Sequence, residues 1–298
     1  GHIADLRARA ASPDNPADAQ LAATLLALMA REDVLSAQPQ RWLGAGGTPT
    51  TDEEYAGELT LSPSQFERAL ACPLRWFLTT VGADGPSNAA ASLGTLIHAV
   101  AEEHPHGTPE ELTEALEARI EELGYNLDTW AGRHSDRRAR AIVENLASYL
   151  VGVPGRVDVE QKVEAQVEGV TIRGRMDRLE YVDEGVRVTD LKTGSNSDPY
   201  RKVDENAQLA AYQLALLASG EDVAGARIAL LGTKKKPQTF DQKPLQGEAL
   251  AQWRNKVREV AESARGPYFE ARPSDAACAY CSFDRLCPAR ERGHKVVE

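Results

Sequence analysis

The hydrophobic residues of this chain follow two spacings, and the spacing changes part-way along. In the first part, apolar residues such as Leu93, Ile97 and Val100 recur every three or four positions, which is the pattern of an amphipathic helix. From Val157 to Val167, apolar residues alternate with polar ones, which is the pattern of a half-buried strand. The sequence therefore predicts a helical part followed by a part that contains a sheet.

Four helices are predicted ahead of the strands. Ser62, Pro63 and Gln65 form a capping box for the first helix, which is expected to end near Cys72. The other three are expected around Leu93 to Val100, from Thr108-Pro109, and from about Ser135 to Leu150. Together they predict a helical N-terminal subdomain.

Three successive strands predict a meander with Gly169 and Gly185 at its turns. The strands are expected at Val157 to Val167, Val170 to Tyr181 and Val186 to Lys192. Three further elements follow: a helix from about Glu205 to Leu217, a strand from Ala226 to Leu231, and a helix from about Glu248 to Ala264. This order predicts an α/β fold with a mixed sheet flanked by helices.

The segment 33–60 has the Gly, Pro, Thr and acidic residues typical of a connector, so a domain boundary is expected near Leu61. We expect residues 1–60 to be a connector and a helix from a preceding region, and 61–298 to be one domain. Its predicted parts are 61–150 (helical), 151–270 (α/β core) and 271–298 (C-terminal segment). The start Gly1-His2-Ile3, without an initiator Met, indicates a piece excised from a longer protein.

No membrane anchor is predicted. The apolar stretch from Leu21 to Ala30 is far too short to span a bilayer. Arg7 and Arg9 precede it, which leaves a signal peptide as one interpretation. An amphipathic helix opened by Pro16 fits the sequence better.

The net charge of −11 argues against a protein that coats nucleic acid through its overall field, because phosphates attract positive surfaces. Any contact with DNA must therefore be local. Two basic clusters could line a groove: Arg133 to Arg140, which includes Arg137 and Arg138, and Lys234 to Lys236. A solvated charged face is the plainer interpretation of each cluster.

The four cysteines have the spacing of metal ligands: Cys72 stands alone, and Cys278, Cys281 and Cys287 follow as C-x2-C-x5-C. Thiolates are soft ligands that suit iron-sulfur clusters or zinc, and unligated buried thiols are a third interpretation. So few cysteines, all at such spacing, are typical of a reducing compartment, and we expect a cytoplasmic protein.

Charged residues interrupt two of the apolar strands. Asp190 and Lys192 share a strand face with Val186 and Val188, and Asp177 lies inside the preceding strand. Two carboxylates in neighbouring strands repel each other unless a cation lies between them. Taken alone, Asp190 and Lys192 fit a surface ion pair at a strand end as well.

Two pairs of residues with i, i+4 spacing could add polar groups from helices. Gln208 and Tyr212 share one helix face, and Gly94 and His98 share another. An isolated histidine is more often a packing residue than a ligand, so the significance of His98 depends on its neighbours.

In combination, these segments resemble a known motif set. The motifs of the RecB-type PD-(D/E)XK nucleases are similar to Gly94-x-x-x-His98, Gly174 to Arg178, Asp190 to Gly194, and Gln208-x-x-x-Tyr212, in this order. The four cysteines resemble the iron-sulfur staple of the AddB-like branch, which some CRISPR-associated exonucleases share. The resemblance covers Leu61 to Pro288. Within the family, the chain most resembles the C-terminal nuclease domain of an actinobacterial AdnAB-type helicase-nuclease.

The resemblance implies a restriction-endonuclease-like core with a cysteine-ligated cluster that joins its two ends. The implied ligands of Mg²⁺ or Mn²⁺ are His98, Asp177, Asp190 and the backbone carbonyl of Leu191. The implied catalytic residues are Asp177, Asp190, Lys192, Gln208 and Tyr212. Lys192 is expected to orient water or stabilise the transition state. Gln208 and Tyr212 are expected to position the DNA strand or Lys192.

For the thiols, the resemblance implies a 4Fe-4S cluster with a structural role, and zinc is the less favoured metal. Its implied ligands are Cys72, Cys278, Cys281 and Cys287. Trp76 and Phe77 could stack on DNA bases, but shielding of the cluster is the favoured interpretation.

Other acidic and histidine residues have plainer interpretations. Glu160 and Glu164 could act as outer-sphere acids, but their alternation with valines favours a solvent-facing edge. The segment from Glu102 to His106 could suggest a metal site, yet Pro105 and Gly107 favour a loop that ends a helix.

The residues and the resemblance favour a metal-dependent, exonuclease-like deoxyribonuclease that hydrolyses single-stranded DNA in double-strand-break end processing. The sequence contains no G-x-x-x-x-G-K-[ST] phosphate-binding motif, so ATP hydrolysis must come from elsewhere, and a helicase motor domain of the same protein is an expected partner. A second helicase-nuclease subunit is a further expected partner. Two other classes stay open: a catalytically silent nuclease-like module that channels or docks DNA, and a zinc-binding interaction protein.

Overall fold

A computed structural model of the chain describes residues 2–12, 14–39, 54–83, 93–120, 128–233, 236–279 and 281–290. The chain forms two compact units, Gly1–Glu54 and Tyr55–Glu298. Among the described residues, no helix is both long enough and apolar enough to cross a bilayer.

The first unit is built on two helices, α1 (His2–Ala11) and α2 (Pro16–Arg31). Asn15 caps α2 by accepting a hydrogen bond from the backbone N–H of Asp18, and Pro16 occupies the first turn. Arg9 of α1 donates from Nε to Oδ2 of the same Asp18 at 3.0 Å. The amphipathic helix opened by Pro16 is therefore present, whereas α1 was not predicted.

The second unit contains a six-stranded mixed sheet. Its strands are β1 (Leu59–Leu61), β2 (Val157–Val167), β3 (Val170–Val182), β4 (Gly185–Lys192), β5 (Val223–Leu230) and β6 (Gln238–Gln242). Strand β3 pairs antiparallel with β2 and β4 and, at its start, parallel with β1. Strand β5 is parallel to β4, and β6 is antiparallel to β5. The predicted meander and mixed sheet are confirmed.

Helices pack on both faces of this sheet. One face is covered by α3 (Pro63–Ala71), α8 (Ala207–Ala218) and α9 (Gly247–Ser263). The other face is covered by α5 (Leu93–Glu103), α6 (Pro109–Ile120) and α7 (Trp130–Val151). Two short helices, α4 (Pro73–Thr80) and α10 (Asp275–Cys278), complete the described part of the unit.

The two cores follow from the alternation of side chains along the central strands. Val188 of β4 and Ile228 of β5 join the core on the α8 side, whereas Leu191 and Ala229 join the core on the α7 side. Both faces of these strands are therefore buried, although β4 also carries Arg187, Asp190 and Lys192. A charged residue in them must therefore find a partner inside the protein.

Several boundaries differ from the predicted ones. Strand β1 lies in the segment assigned to the connector, and its three residues pair with the start of β3. Strand β6 was not predicted because it is short and mostly polar. Helix α8 begins at Ala207 rather than near Glu205, because the side chain of Asn206 caps it by accepting from the N–H of Leu209.

Parts of several predicted segments lie outside the described residues. They include 40–53 of the connector, Lys234 and Lys235 of the second basic cluster, and residues 280 and 291–298 of the C-terminal segment. The first basic cluster lies on α7, within the described residues.

Truncation of Leu146 tests the core beneath α7. Its side chain is fully buried, and a buried Leu→Ala change costs about 2–5 kcal/mol of unfolding free energy. Val151→Ala on the same helix is the matched control, because Val151 is 73% exposed and its truncation is expected to cost less than about 0.5 kcal/mol. Urea denaturation of both variants measures the difference, and equal losses would contradict the described packing.

Candidate active site

Strand β3 changes its side-chain alternation at Asp177. Before that residue, Ile172 and Met176 join the core on the α8 side of the sheet. After it, Glu180 accepts a hydrogen bond from the hydroxyl of Tyr149 on α7, on the opposite side. Even-numbered positions thus exchange faces within one strand, which indicates a local irregularity.

The matching irregularity lies at Glu160 of β2. Pairing between β2 and β3 holds on either side of it, at Val159–Arg178 and at Gln161–Met176. Glu160 itself has a φ of +51°. A left-handed conformation is uncommon for a residue with a Cβ, and such strain is frequent at functional sites.

Asp190 is the buried carboxylate near the end of β4, with 5% of its surface exposed. Its Oδ2 lies 2.8 Å from Nζ of Lys192. Its Oδ1 accepts a 2.7 Å hydrogen bond from Nε2 of Gln208 on α8, and Lys192 donates to Oε1 of Gln208 at 3.1 Å. Three of the residues singled out in the sequence therefore form a closed polar triangle.

Asp177 connects this triangle to α5. Its Oδ2 accepts a 2.7 Å hydrogen bond from the backbone N–H of Leu191, the neighbour of Asp190. Its Oδ1 lies 3.3 Å from Nδ1 of His98. The structure thus brings His98, Asp177 and Asp190 to one edge of the sheet, and the metal-binding role of the Leu191 carbonyl stays a prediction.

Glu160 belongs to this cluster, contrary to its interpretation as part of a solvent-facing edge. Among the described residues, the group whose potential ligand atoms all lie within 4.8 Å of one another is His98, Glu160 and Asp177. Asp190 is not a member, since its oxygens are directed to Lys192 and Gln208. The alternation of β2 misled the sequence analysis because a positive φ at Glu160 cannot be read from side-chain spacing.

Tyr212 and Gly174 hold α8 against β3. The hydroxyl of Tyr212 donates a 2.7 Å hydrogen bond to the carbonyl of Arg175. A Cβ at Gly174 would lie 2.7 Å from Cδ of Pro63 and 3.3 Å from Cε1 of Tyr212, so only glycine fits there. Tyr212 therefore contacts the strand backbone, and it also lies next to Gln208 on the same helix.

The electrostatics of the cluster favour the binding of positive charge. Burial raises the pKa of Asp190, and the Lys192 ammonium opposes that effect. Burial also disfavours the charged form of Lys192, but the Asp190 carboxylate outweighs it and raises the lysine pKa. The hydrogen bond to Asp177 raises the pKa of His98. The carboxylates of Asp177 and Asp190 thus favour positive charge on their neighbours, and a metal ion would compete with those protons for the same ligand atoms.

Two residues near the triangle were missed by the sequence analysis. Burial raises the pKa of Glu67 on α3, and the charge of Lys192 acts on it in the opposite direction. Burial likewise raises the pKa of Tyr200, which also feels Lys192 and Asp190. Their placement depends on packing between distant segments, so no motif or spacing could have identified them.

The predicted cysteine-ligated cluster is not evident in the structure. The thiols of Cys72, Cys278, Cys281 and Cys287 are free and partly buried. No three of these sulfur atoms, all of which are described, lie within 4.8 Å of one another. A tetrahedral zinc site, with Zn–S bonds of about 2.3 Å, requires closer sulfur atoms than that.

The two cysteine-bearing segments do meet, however. Nη1 of Arg75 on α4 donates a 2.6 Å hydrogen bond to the carbonyl of Ala277, which precedes Cys278. The backbone N–H of Leu74 donates to the carbonyl of Glu270 at 3.1 Å. The beginning of α4, next to Cys72, is therefore packed against the segment that carries the other thiols.

Aromatic residues after Cys72 are packing residues. Trp76 is buried, and Phe77 stacks on Phe269 with ring centroids 4.0 Å apart. These contacts place both rings against the rest of the unit, which favours packing over base stacking. Their predicted role in shielding a cluster stays a prediction.

The plain interpretations of Glu164 and of the segment after α5 agree with the structure. Glu164 pairs with Arg173 on the surface, at 2.8 Å. Helix α5 ends at Glu103, and the N–H of His104 closes its last turn by donating to the carbonyl of Val100. His106 follows in the connecting loop.

Sequence comparison with a family model agrees with this geometry. The model of the PD-(D/E)XK nuclease superfamily matches residues 60–288, and the chain belongs to that superfamily. Nucleases of this superfamily typically use a divalent metal ion.

Individual relatives are more distant. The Gene 69 protein of Mycobacterium phage D29 is 26% identical over 267 residues, which cover 76% of this chain and 96% of that protein. The crystal structure of SSO0001 covers 78% of this chain and 88% of its own, with 16% identity and a TM-score of 0.41. A Eubacterium rectale protein provisionally named an exonuclease covers 79% and 92%, with 14% identity and a TM-score of 0.46.

Glu160→Gln tests the charge balance in the metal-free protein. Burial and the Asp177 carboxylate raise the pKa of Glu160, with Glu102 adding to the shift and Arg175 opposing it. Ionisation of Glu160 therefore opposes folding as the pH rises from about 4 to 7. We expect the variant to gain stability relative to the parent chain over that range, measured as the free energy of unfolding in EDTA.

Glu164→Gln on the same strand is the control, because its effect on stability is expected to be opposite in sign to that of Glu160→Gln. The hydrogen bond from Arg173 lowers the pKa of Glu164, so that its ionisation favours folding as the pH rises. This variant is expected to lose stability relative to the parent chain as the pH rises toward about 4.3, the ordinary glutamate pKa, and to keep a constant difference above it. Parallel responses of the two variants would contradict the different surroundings of the two glutamates.

Proposed function

We propose that this chain is a metal-dependent deoxyribonuclease that hydrolyses phosphodiester bonds of single-stranded DNA. The observation that carries the proposal is the convergence of acidic, basic and imidazole groups at one edge of the sheet. The residues that converge there are His98, Asp177, Asp190 and Lys192. This is the set of groups that metal-assisted hydrolysis of a phosphodiester requires.

The donor atoms fit a hard divalent cation. Carboxylate oxygens are the ligands that Mg²⁺ prefers, and a single imidazole among them suits Mn²⁺ at least as well. The atoms that converge most closely are those of His98, Glu160 and Asp177, and the buried Asp190 lies beside them with its Oδ2 2.8 Å from the Lys192 ammonium. A bound cation supplies a water of lowered pKa and neutralises charge on the scissile phosphate.

The side chains around that position have separate roles. Lys192 stabilises the negative charge that grows on the phosphate as water attacks phosphorus and the P–O ester bond breaks. Gln208 fixes the relative positions of the Lys192 and Asp190 side chains through its two hydrogen bonds. Tyr212 is a positioning residue, because it fixes α8 to β3 rather than contacting the triangle's charged atoms.

The narrower assignment rests on the motif set. Its order resembles that of RecB-type nucleases, which favours a nuclease domain of a helicase-nuclease that processes double-strand breaks. The proposed partners are single-stranded DNA, a helicase motor domain of the same protein and a second helicase-nuclease subunit.

We further propose that the four cysteines bind a 4Fe-4S cluster with a structural role. The contact between Arg75 and Ala277 brings the segments of Cys72 and Cys278 together across 202 positions of sequence. A cubane cluster holds its ligand sulfurs further apart than a single zinc ion does, so separated thiols on adjoining segments suit it better. Closure of so long a loop restrains the unfolded chain by about 5 kcal/mol if the cluster acts as a crosslink.

Asp190→Asn and Lys192→Ala test the catalytic assignment. Each removes a charge from the triangle, and we expect cleavage of single-stranded DNA in Mn²⁺ to fall by at least about 100-fold. Lys162→Ala is the control, because Lys162 is an exposed lysine on β2, and it is expected to cleave like the parent chain. Circular dichroism and thermal unfolding establish that each variant is folded.

Two outcomes would overturn this assignment in different ways. Full activity of a folded Asp190→Asn variant would show that cleavage occurs elsewhere. Absence of cleavage by the parent chain in Mg²⁺ and Mn²⁺, with single-stranded DNA still bound, would favour the catalytically silent module.

Cys72→Ser and Cys278→Ser test the cluster. Protein purified without oxygen is expected to be brown, with an iron-thiolate absorption band near about 400 nm, and each variant is expected to lose the band. Iron and zinc analysis of the same samples provides the independent measurement. Zinc without iron in the parent protein would contradict the iron-sulfur assignment.

A further inference from the structure

We propose that one exposed face of α7 binds single-stranded DNA outside the catalytic cluster. The face consists of Trp130, His134, Arg137 and Arg138, and we call it the basic-aromatic face. The inference rests on the proposed nuclease function and adds a second contact region for the same substrate.

The aromatic part of this face is exposed and ordered by stacking. Trp130 is 70% exposed. Its ring stacks on that of His134, one helical turn later, with centroids 5.3 Å apart and an angle of 11° between the planes. A single exposed apolar residue is unremarkable, but a flat pair with one open face offers a base the stacking surface found in single-strand channels.

The cationic part of the face adjoins this stack. Between Trp130 and Ala141 the sequence carries four arginines and one acidic residue, Asp136. Asp136 pairs with Arg140, which also pairs with Glu117 of α6. Within the part of the chain that the structure describes, no carboxylate pairs with Arg137 or Arg138, and both are exposed.

This local excess of positive charge contrasts with the whole chain, whose net charge is −11. A strongly acidic protein repels DNA at long range, so it needs a concentrated cationic surface where a strand is to lie. Exposed aromatic rings beside arginines fit bases beside phosphates, and this match of chemistry favours a nucleic acid over a protein as the partner.

The direction of α7 relates the face to the catalytic edge. Asn145 donates to the carbonyl of Leu231 at 2.7 Å, and the N–H of Leu231 donates to the carbonyl of Lys192 at 2.7 Å. One turn later, the hydroxyl oxygen of Tyr149, whose proton is donated to Glu180, lies 3.2 Å from the hydroxyl of Thr189, which lies further inside the sheet. Helix α7 therefore runs from the ends of β4 and β5 into the sheet, and its earlier residues project beyond that edge.

Helix geometry gives the scale of this projection. At 1.5 Å per residue, Arg138 lies about 10 Å and Trp130 about 22 Å along the axis from Asn145. A strand that leaves the catalytic edge along α7 meets the arginines first and the aromatic pair next. The face therefore contacts nucleotides several positions away from the bond that is cut.

The test measures binding of a fluorescently labelled oligo(dT) in EDTA, where no cleavage occurs. Trp130→Ala removes the stacking surface, and we expect its Kd to rise about 5-fold or more. Arg137→Ala combined with Arg138→Ala is expected to weaken binding and to reduce the slope of log K against log salt by about 1.4. With long substrates kcat/KM is expected to fall more than with strands too short to reach α7.

Matched controls separate these effects from general ones. Tyr268→Ala removes another exposed aromatic ring, since Tyr268 is 78% exposed. Arg254→Ala combined with Arg258→Ala removes two positive charges from α9, which gives the same change in net charge. Losses of binding in the controls equal to those in the α7 variants would overturn the proposal.

The failure of this proposal is distinguishable from that of the proposed function. If the parent chain cleaves DNA and the α7 variants bind it as tightly as the parent does, the basic-aromatic face is not a DNA-binding surface, and the proposed nuclease function still stands. A parent chain that neither binds nor cleaves single-stranded DNA would overturn both.

Discussion

The candidate site depends on one buried carboxylate, Asp190, near the end of β4 between the two apolar cores. A carboxylate in such surroundings is unfavourable unless a cation or hydrogen-bond donors meet it. Lys192 and Gln208 meet both of its oxygens. Since Gln208 lies on α8, the same contacts fix the position of that helix relative to β4. The electrostatic requirement of one residue therefore orients two elements of the fold.

The second requirement is that groups from opposite helical layers reach the same edge. His98 comes from α5 in one layer and Gln208 from α8 in the other. The irregularity at Glu160 and Asp177 places two more carboxylates between them. Burial raises the pKa of both Glu160 and Asp190, and repulsion from the Asp177 carboxylate adds to each shift. The strained backbone and the charge cluster are thus parts of one arrangement.

The order of elements could be predicted because most helices and strands have a recognisable pattern in their own short stretch of sequence. Ser62 and Gln65 form the capping box that their spacing predicts, and the long strands alternate or run apolar as their burial requires. Features that depend on distant partners could not be predicted in this way. Strand β1 is recognisable only by its pairing with β3.

The candidate site shows the same division between local and long-range information. The motif residues Asp177, Asp190, Lys192 and Gln208 meet as their strand and helix positions suggest. Glu160 was misplaced because its backbone conformation is invisible in the sequence pattern. Glu67 reaches the site only through tertiary packing of α3.

The core on the α8 side joins residues made early and late in synthesis, from Leu59 of β1 to Val260 of α9. Every motif residue of the catalytic edge precedes α9 in the chain. A nascent polypeptide that ends before α9 therefore contains all of the motif residues but lacks one of the helices that cover this face of the sheet. The candidate site is therefore expected to reach its folded geometry only after nearly the entire second unit has been synthesised.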